Sequence, residues 1–265
     1  MIIEEKEGKF SITLSEPELW IVASQCGQGV IYGMDDSSEE TLSEATLEVA
    51  LKSLRDANAI WTGPDGEECI DELVLGMVYS CMHSHDMLII QNGSIDKSVF
   101  LHFLPDWNLS FTKVPDGYLL TYYQNRDALH KHIMTTYLSD LREADSDVYF
   151  SCTRVALEAA GYLFETNKLE EATDLIAEYM GEDEGKSQSF LEDISSGQKY
   201  EVRAFYDRHN NHNVIGYQTD ILVGKQSNYL VRRIYSVDQD REVLSIQGLP
   251  SELARHSVYQ LLPKE

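Results

Sequence analysis

The stretch GYLLTYYQ at residues 117–124 runs almost directly into DALHKHI at 127–133, and 124 positions later REVLSIQG at 241–248 runs into SELARHS at 251–257. In both places an alternation of apolar and polar residues, the period of a half-buried strand, gives way to a short helical segment. The two stretches align without a gap: Leu120 stands with Leu244, Leu129 with Leu253, Lys131 with Arg255 and His132 with His256. The match at residue level is confined to this last strand and helix, so the next question is whether the surrounding layout also recurs.

Upstream of the first copy the alternation continues backwards through LSFTKV (109–114), VFLHFL (99–104) and DMLIIQ (86–91). These runs are separated by PDG at 115–117, PDW at 105–107 and NGS at 92–94. Asn-Gly or Asp-Gly between alternating runs is a strong hairpin signal, so residues 86–123 are expected to form a four-stranded antiparallel meander. A helix beginning near Arg126 closes the unit. Ahead of the meander, SEPE at 15–18 reads as a capping box with Pro17 in the first turn, where its missing donor is harmless, and a helix is expected to run to Gly27. SSEE at 37–40 repeats the start signal, and Leu47, Leu51 and Leu54 follow at helical spacing as far as Asn58. After the GPDG turn at 63–66 a third helix is expected over about 68–81, with Ile70, Leu73, Val74 and Met77 on one face. Three helices would then precede the first strand.

Beyond Ala144 the same order returns, with helices at 151–165, 167–180 and 187–195, the last preceded by GEDEGKSQ at 181–188, whose glycines read as a mobile loop. Alternating runs follow at 199–207, 214–223, 228–237 and 242–247, and then the closing helix. A sheet with helices on one face leaves edges and a second face to cover, and a duplicated unit can cover them with its copy. The expected fold class is therefore α+β: a duplicated unit of three helices, a four-stranded antiparallel meander and one helix, forming a pseudo-twofold extended sheet flanked by helical clusters. Residues 1–265 would be a single domain made of pseudo-repeats 9–143 and 144–265.

The charge restricts the partners. Against 21 Lys and Arg stand 45 Asp and Glu, a net charge of −24, and such a surface repels phosphate backbones and anionic lipid heads. Neither nucleic acid nor membrane insertion is expected; a basic protein partner is compatible. The longest apolar runs, LVLGMVY (73–79) and MLII (87–90), fall far short of the roughly 20 residues of a membrane span. MIIEEKEGKF at the start is acidic where a secretory signal is basic, and the expected location is cytoplasmic. Cys26, Cys69, Cys81 and Cys152 have no C-x-x-C spacing and lie in apolar segments, which reads as reduced, buried thiols.

Catalytic and metal chemistry find little support. HSHD at 83–86 would have to bridge a helix end and a strand start, His130 and His132 diverge by about 200° on a helix, and HNNH at 209–212 reads as a hairpin loop. Phosphate-loop, G-x-S-x-G and H-E-x-x-H patterns are absent, and GQG at 27–29 lacks the rest of a dinucleotide fingerprint. The expectation is a protein that is not an enzyme, with no cofactor, no metal and no catalytic residue.

The segments LSEPELWIVASQCG (14–27), LEVALKSLRDANAIWTGPDGEECIDELVLGMVYSCMHSHDMLII (47–90) and YSVDQDREVL (235–244) resemble the EspG family of ESX, or type VII, secretion-associated proteins. The resemblance covers the chain in layout and implies a quasi-twofold α/β fold. It also implies a cytosolic chaperone that holds a helical-hairpin secretion substrate with its sheet loops and C-terminal helical region. Carried over by position, it points to the first hairpin loop, NGSIDK at 92–97, where Ile95 is an apolar residue in a turn. Beside it Trp107, Phe111 and Tyr118 are candidates for a hydrophobic grip on the partner, with core packing as their other reading. An acidic immunity protein that neutralises a secreted toxin is the alternative; its affinity would fall steeply with salt, whereas a grip on an apolar helical tip would depend on salt only weakly.

Overall fold

The computed structural model describes residues 2–6, 8–34, 43–84, 86–92, 98–144, 146–181, 183–195, 197–207, 214–236 and 241–262. The first half contains β1 (Ile2–Lys6), β2 (Lys9–Leu14), α1 (Glu16–Gln25), α2 (Glu44–Asp56), β3 (Ile60–Thr62), β4 (Glu68–Ile70) and α3 (Glu72–His83). The meander follows as β5 (Asp86–Asn92), β6 (Ser98–Leu104), β7 (Trp107–Val114) and β8 (Gly117–Tyr123), closed by α4 (Arg126–His132) and a π-helical turn (Ile133–Tyr137). The second half contains β9 (Tyr149–Cys152), α5 (Arg154–Glu165), α6 (Leu169–Ala177) and α7 (Glu184–Ile194). It ends with β10 (Gln198–Asp207), β11 (Val214–Val223), β12 (Asn228–Ser236), β13 (Arg241–Gly248) and α8 (Ser251–Leu261).

Local signals set the helix starts. The Ser15–Glu18 capping box forms, with the Ser15 amide donating to the Glu18 carboxylate at 2.7 Å. Ser43, Asp71, Asn125, Thr153 and Asp183 each accept a first-turn amide through the side chain, which satisfies donors that a helix leaves orphaned.

Several expectations are corrected. Two strands, β1 and β2, precede α1, so three helices do not come first. The third helix begins at Glu72, because Glu68–Ile70 pairs with Ile60–Thr62 as a small separate hairpin. Strand β9 occupies Tyr149–Cys152, ahead of a helix expected from 151. Helix α7 starts at Glu184, inside the segment read as a mobile loop, once Asp183 caps it. β2, β4 and β9 are short, and each exists because a partner strand supplies its hydrogen bonds; for β4 the GPDG turn at 63–66 sets up that pairing, whereas the partners of β2 and β9 are distant in sequence. The start signal SSEE and the HNNH loop lie outside the described residues.

Eleven strands form one sheet in the order β1-β2-β8-β7-β6-β5-β10-β11-β12-β13-β9, and every named strand pair is antiparallel. The two meanders join at β5 and β10, where Leu88 faces Ala204 and Ile90 faces Val202. On one face, here the front, α1, α2 and α3 pack over β2, β7 and β8 through Leu19, Val22, Leu54, Val74, Met77 and Val78. Also on the front, α5, α6 and α7 pack over β9, β12 and β13 through Ala156, Ala160, Ile176, Phe190 and Leu191. On the back, α4, the π-helical turn and α8 cover the central strands, with Leu129, Ile133, Ala254 and Val258 against Leu88, Leu101, Val202 and Ile221. The two closing helices meet there: the His130 and Tyr259 rings stand edge to face at 4.9 Å.

One core group is unusual. His102 on β6 is fully buried; Ser84 Oγ lies 2.7 Å from its Nδ1, and its Nε2 has no partner. Burial pushes its pKa down from 6.5 to about 3. The unfolded chain therefore binds a proton near pH 6.5 that the folded chain refuses until about pH 3. The neutral ring contributes full stability above pH 6.5, and that contribution is lost as pH falls through this window at about 1.4 kcal/mol per unit. Urea midpoints measured from pH 7 to pH 4 are expected to fall less steeply in His102→Gln than in the parent; parallel slopes would mean that His102 is solvated in the fold.

Candidate functional site

The helical clusters on the front face do not meet. The apolar cluster of the first half ends at Phe100 on β6, and that of the second half ends at Leu222 on β11 and Val231 on β12. Between them the front-facing side chains of β5, β10 and β11 form a trough with a half-buried floor. Register defines its rows: Phe100, Ile89, Arg203 and Gln218 lie across one line, and Gln91, Glu201, Asp220 and Val231 across another. From β6 to β12 there are four strand intervals, about 19 Å at the ~4.8 Å spacing of paired strands.

One rim is the segment after α1. Gly33, at φ +92°, sits directly on the Phe100 ring, where any Cβ would collide; Gly29 packs on Met82 of α3, and the Cys26 carbonyl lies 3.0 Å from His83 Nε2. This leaves Val30 (66%) and Tyr32 (54%) exposed along the rim. The other rim is the start of α5, where Arg154 is paired with Glu158 at 2.7 Å and feels the charges of Asp220 and Glu201. Val155 and Tyr162, two helical turns apart on α5, are largely exposed.

The floor is ionic as well as apolar. Lys199 Nζ lies 3.0 Å from Glu201 and 2.9 Å from Asp220, and Arg203 Nη2 donates to Glu201. The Glu201 carboxyl is held below its usual range because hydrogen bonds from these two cations outweigh its desolvation. Arg233 on β12 faces Glu242 at 3.9 Å. Four cations (Arg154, Lys199, Arg203, Arg233) thus balance four carboxylates (Glu158, Glu201, Asp220, Glu242), and the net charge of −24 is carried by the rest of the chain. One polar atom in the trough is unpaired: Arg203 Nε is buried and has no hydrogen-bond partner.

The residues singled out in the sequence are placed as follows. Ile95 lies outside the described residues. Trp107 is half-buried, set against Gly76 of α3 and 5.0 Å from the Tyr122 ring. Phe111 and Tyr118 are 0% and 2% exposed and stack at 5.2 Å beneath α1 and α3, so their side chains are occupied by the core. The trough residues escaped sequence reading because Lys199, Glu201, Arg203 and Asp220 look like the ordinary solvent side of alternating strands. Two charged strands side by side, flanked by uncovered apolar positions, become visible only with the register.

A second concavity, of ≈ 930 Å³, lies at the far end of the second half, between α7, the segment before β9 and the β11–β12 turn; Asp147, Lys186, Asp193, Lys225 and Tyr229 are among its lining residues. Its polar groups are mostly spent on each other, with Lys186 on Asp147 at 2.9 Å and Asp193 on Tyr229 at 2.7 Å. Among the described residues no group of three or more His, Cys, Asp and Glu could hold a metal ion. His130 and His132 point to different neighbours, the Arg255 carbonyl and Lys9. All four cysteines are free, and burial raises the thiols of Cys26 and Cys152 to about 11. Among the described residues no helix is long and apolar enough to cross a membrane.

These features define an α+β protein that has, among the described residues, one large antiparallel sheet, eight α-helices and a front face with no helix over its centre. Among solved structures, the chain is similar to the Mycobacterium tuberculosis type VII secretion system chaperone EspG5, seen in complex with the PE25–PPE41 dimer. The TM-score is 0.64 at 11% sequence identity, with 95% of each chain covered. At that identity the likeness is one of fold. The chain matches no protein-family model and no curated protein.

Proposed function

We propose that this chain is a non-enzymatic chaperone or adaptor of a type VII (ESX) secretion system, holding a helical substrate in the trough between its two helical clusters. The observation that carries the reading is the likeness in fold, over 95% of both chains, to a type VII secretion chaperone whose structure contains a bound dimer. The trough adds a dimensional argument: two packed helices, their axes about 8–10 Å apart, need a floor close to the ~19 Å available. On this reading the chain works in the cytoplasm, before its substrate meets the membrane machinery.

The domain reading belongs to the same proposal. Residues 1–265 form one EspG-like domain of two pseudo-repeats, 9–143 and 144–265, related by a twofold through the β5–β10 pair. It is supported by the mirrored strand order β8-β7-β6-β5 and β10-β11-β12-β13, and by the meeting of α4 and α8 behind that pair. Val30, Tyr32 and Ile89 form the proposed contact set, and Ile95, outside the described residues, remains the candidate that the family resemblance supplies. Phe111, edge-on to Phe100, and Tyr118, stacked on Phe111, support the rim from below, and Trp107 packs on Gly76 of α3.

The test is recovery of partners from the native cytosol by the purified chain, with identification by mass spectrometry at low and at high salt. A helical secretion substrate is expected at both salts, and Val30→Asp is expected to reduce its recovery tenfold or more while shifting stability by less than about 0.5 kcal/mol. A basic toxin recovered at low salt alone would replace this reading with the immunity protein.

A further inference from the structure

We propose that Asn228 is a positioning residue for the second rim of the trough: it latches the segment that joins the two pseudo-repeats and, through that segment and β9, fixes where α5 begins. This latch governs the shape of the site, whatever the trough binds.

The joining segment leaves the central core after Leu138 and Leu141, which are buried in the cluster that both halves share. It runs along the second half to Val148 and passes into β9; at Thr153 β9 gives way to α5, whose first turn carries Arg154 and Val155 of the rim. Asn228, the first residue of β12, is 0% exposed and turns its carboxamide onto this segment. Its Oδ1 accepts from the Arg142 amide at 2.8 Å, and its Nδ2 donates to the Arg142 carbonyl at 2.7 Å and to the Leu249 carbonyl at 3.2 Å. The side chain thus pairs with Arg142 as a neighbouring strand would, and the amide on one side with carbonyls on the other fixes which end is nitrogen. Further along, the segment closes on β13: the Gly248 amide donates to the Val148 carbonyl at 2.7 Å, and a Cβ on Gly248 would collide with the Ser146 carbonyl.

The other side-chain ties hold less. Glu143 meets Ser251 and Arg255, but its carboxylate is 75% exposed, and an exposed ion pair contributes little. Asp140 accepts from the Tyr200 hydroxyl at 3.2 Å, upstream of the latch, and Arg142 reaches the Gly224 carbonyl through its long side chain. Deleting the carboxamide leaves the Leu249 carbonyl and both backbone groups of Arg142 without this partner. The segment recovers those hydrogen bonds by lifting into water, a local opening short of global unfolding. Lifting loosens the chain ahead of β9, an edge strand of four residues paired with β13 alone, and the start of α5 moves with it.

The experiment measures the distance across the trough in the full chain by double electron–electron resonance. Nitroxides are carried on p-acetylphenylalanine at Val30 on the first rim and Val155 on the second, both largely exposed, so that the four native cysteines stay. A second pair, at Val30 and Val49, lies within the first half and is the control. In Asn228→Ala the Val30–Val155 distribution is expected to broaden about twofold or more while the control pair keeps its width, and amide exchange at Arg142 and Gly248 to quicken about tenfold or more while the amides of Val202 and Ala204 stay protected. Asn228→Asp, which keeps the acceptor and loses both donated bonds, is expected to fall between. Gly248→Ala, which pries the segment off from its other side, is expected to broaden the same pair, and it serves if the Asn228 variants melt early. An unchanged Val30–Val155 width in Asn228→Ala and Gly248→Ala, or equal broadening of both pairs, overturns the latch. No partner enters this measurement, so either result leaves the chaperone reading standing.

Discussion

Replacing Phe111 with alanine is expected to cost about 3–5 kcal/mol of folding free energy, the range for deleting a large aromatic from a core that relaxes only in part. Phe111 is 0% exposed, stacks on Tyr118 at 5.2 Å, meets Phe100 edge-on at 6.4 Å and lies in the cluster that joins α1 and α3 to β7 and β8. Its removal would open a cavity at the base of the rim, since Phe100 carries Gly33 above it. Urea unfolding measures the loss directly, and partner capture by the still-folded fraction should change little. A loss below about 1 kcal/mol accompanied by abolished capture would show that Phe111 meets the partner itself, as the hydrophobic-grip expectation had it.

Asp193→Ala is expected to cost about 3 kcal/mol, counting two buried donors left without an acceptor. The Asp193 carboxylate accepts from the Gln226 amide at 2.7 Å, the Ser227 amide at 3.2 Å and the Tyr229 hydroxyl at 2.7 Å. Its own carbonyl accepts from the Lys225 amide. One side chain at the end of α7 thereby organises the whole β11–β12 turn, and Ser227 and Tyr229 are buried where water cannot replace it. Tyr229 supports the point: burial and the neighbouring carboxylate together raise its hydroxyl pKa well above 10. Asp193→Asn keeps an acceptor oxygen and should cost less than half as much; equal losses in the two variants would mean that the site depends on the charge rather than on the hydrogen bonds. Amide exchange at Gln226 and Ser227 should quicken in the alanine variant before global unfolding.

Much of the fold was legible because its signals are local. The four meander strands of each half follow from period-two alternation, and in the first half PDG marks the turn between β7 and β8, while Gly93 and Ser94 of the NGS signal lie outside the described residues; α1 follows from Ser15, Pro17 and Glu18, and α4 and α8 from the repeated strand-to-helix passage. The short strands were not legible. KFSITL alternates, but its pairing with Leu119 and Tyr123 of β8 is a contact across more than a hundred residues, and YFSC of β9 is a strand because Leu244 and Ile246 lie beside it. Strand β4 of the small hairpin was absorbed into an expected helix because Ile70 continued the helical spacing of Leu73 and Met77.

The candidate site divides on the same line. Sequence alone determined the acidity of the surface, the alternation that commits two long stretches to strands, and the caps that start the helices, because each depends on residues within one or two turns of one another. It could not separate an aromatic in the core from one on a binding face, and so Phe111 and Tyr118 carried both readings, core packing and a grip on the partner. Only the tertiary structure decided that Phe111 and Tyr118 are enclosed by α1 and α3, that the two helical clusters stop short of each other, and that Lys199, Glu201, Arg203 and Asp220 share one floor. The reason is physical: burial and charge pairing are set by which strands become neighbours, and β5 meets β10 across more than a hundred residues of chain.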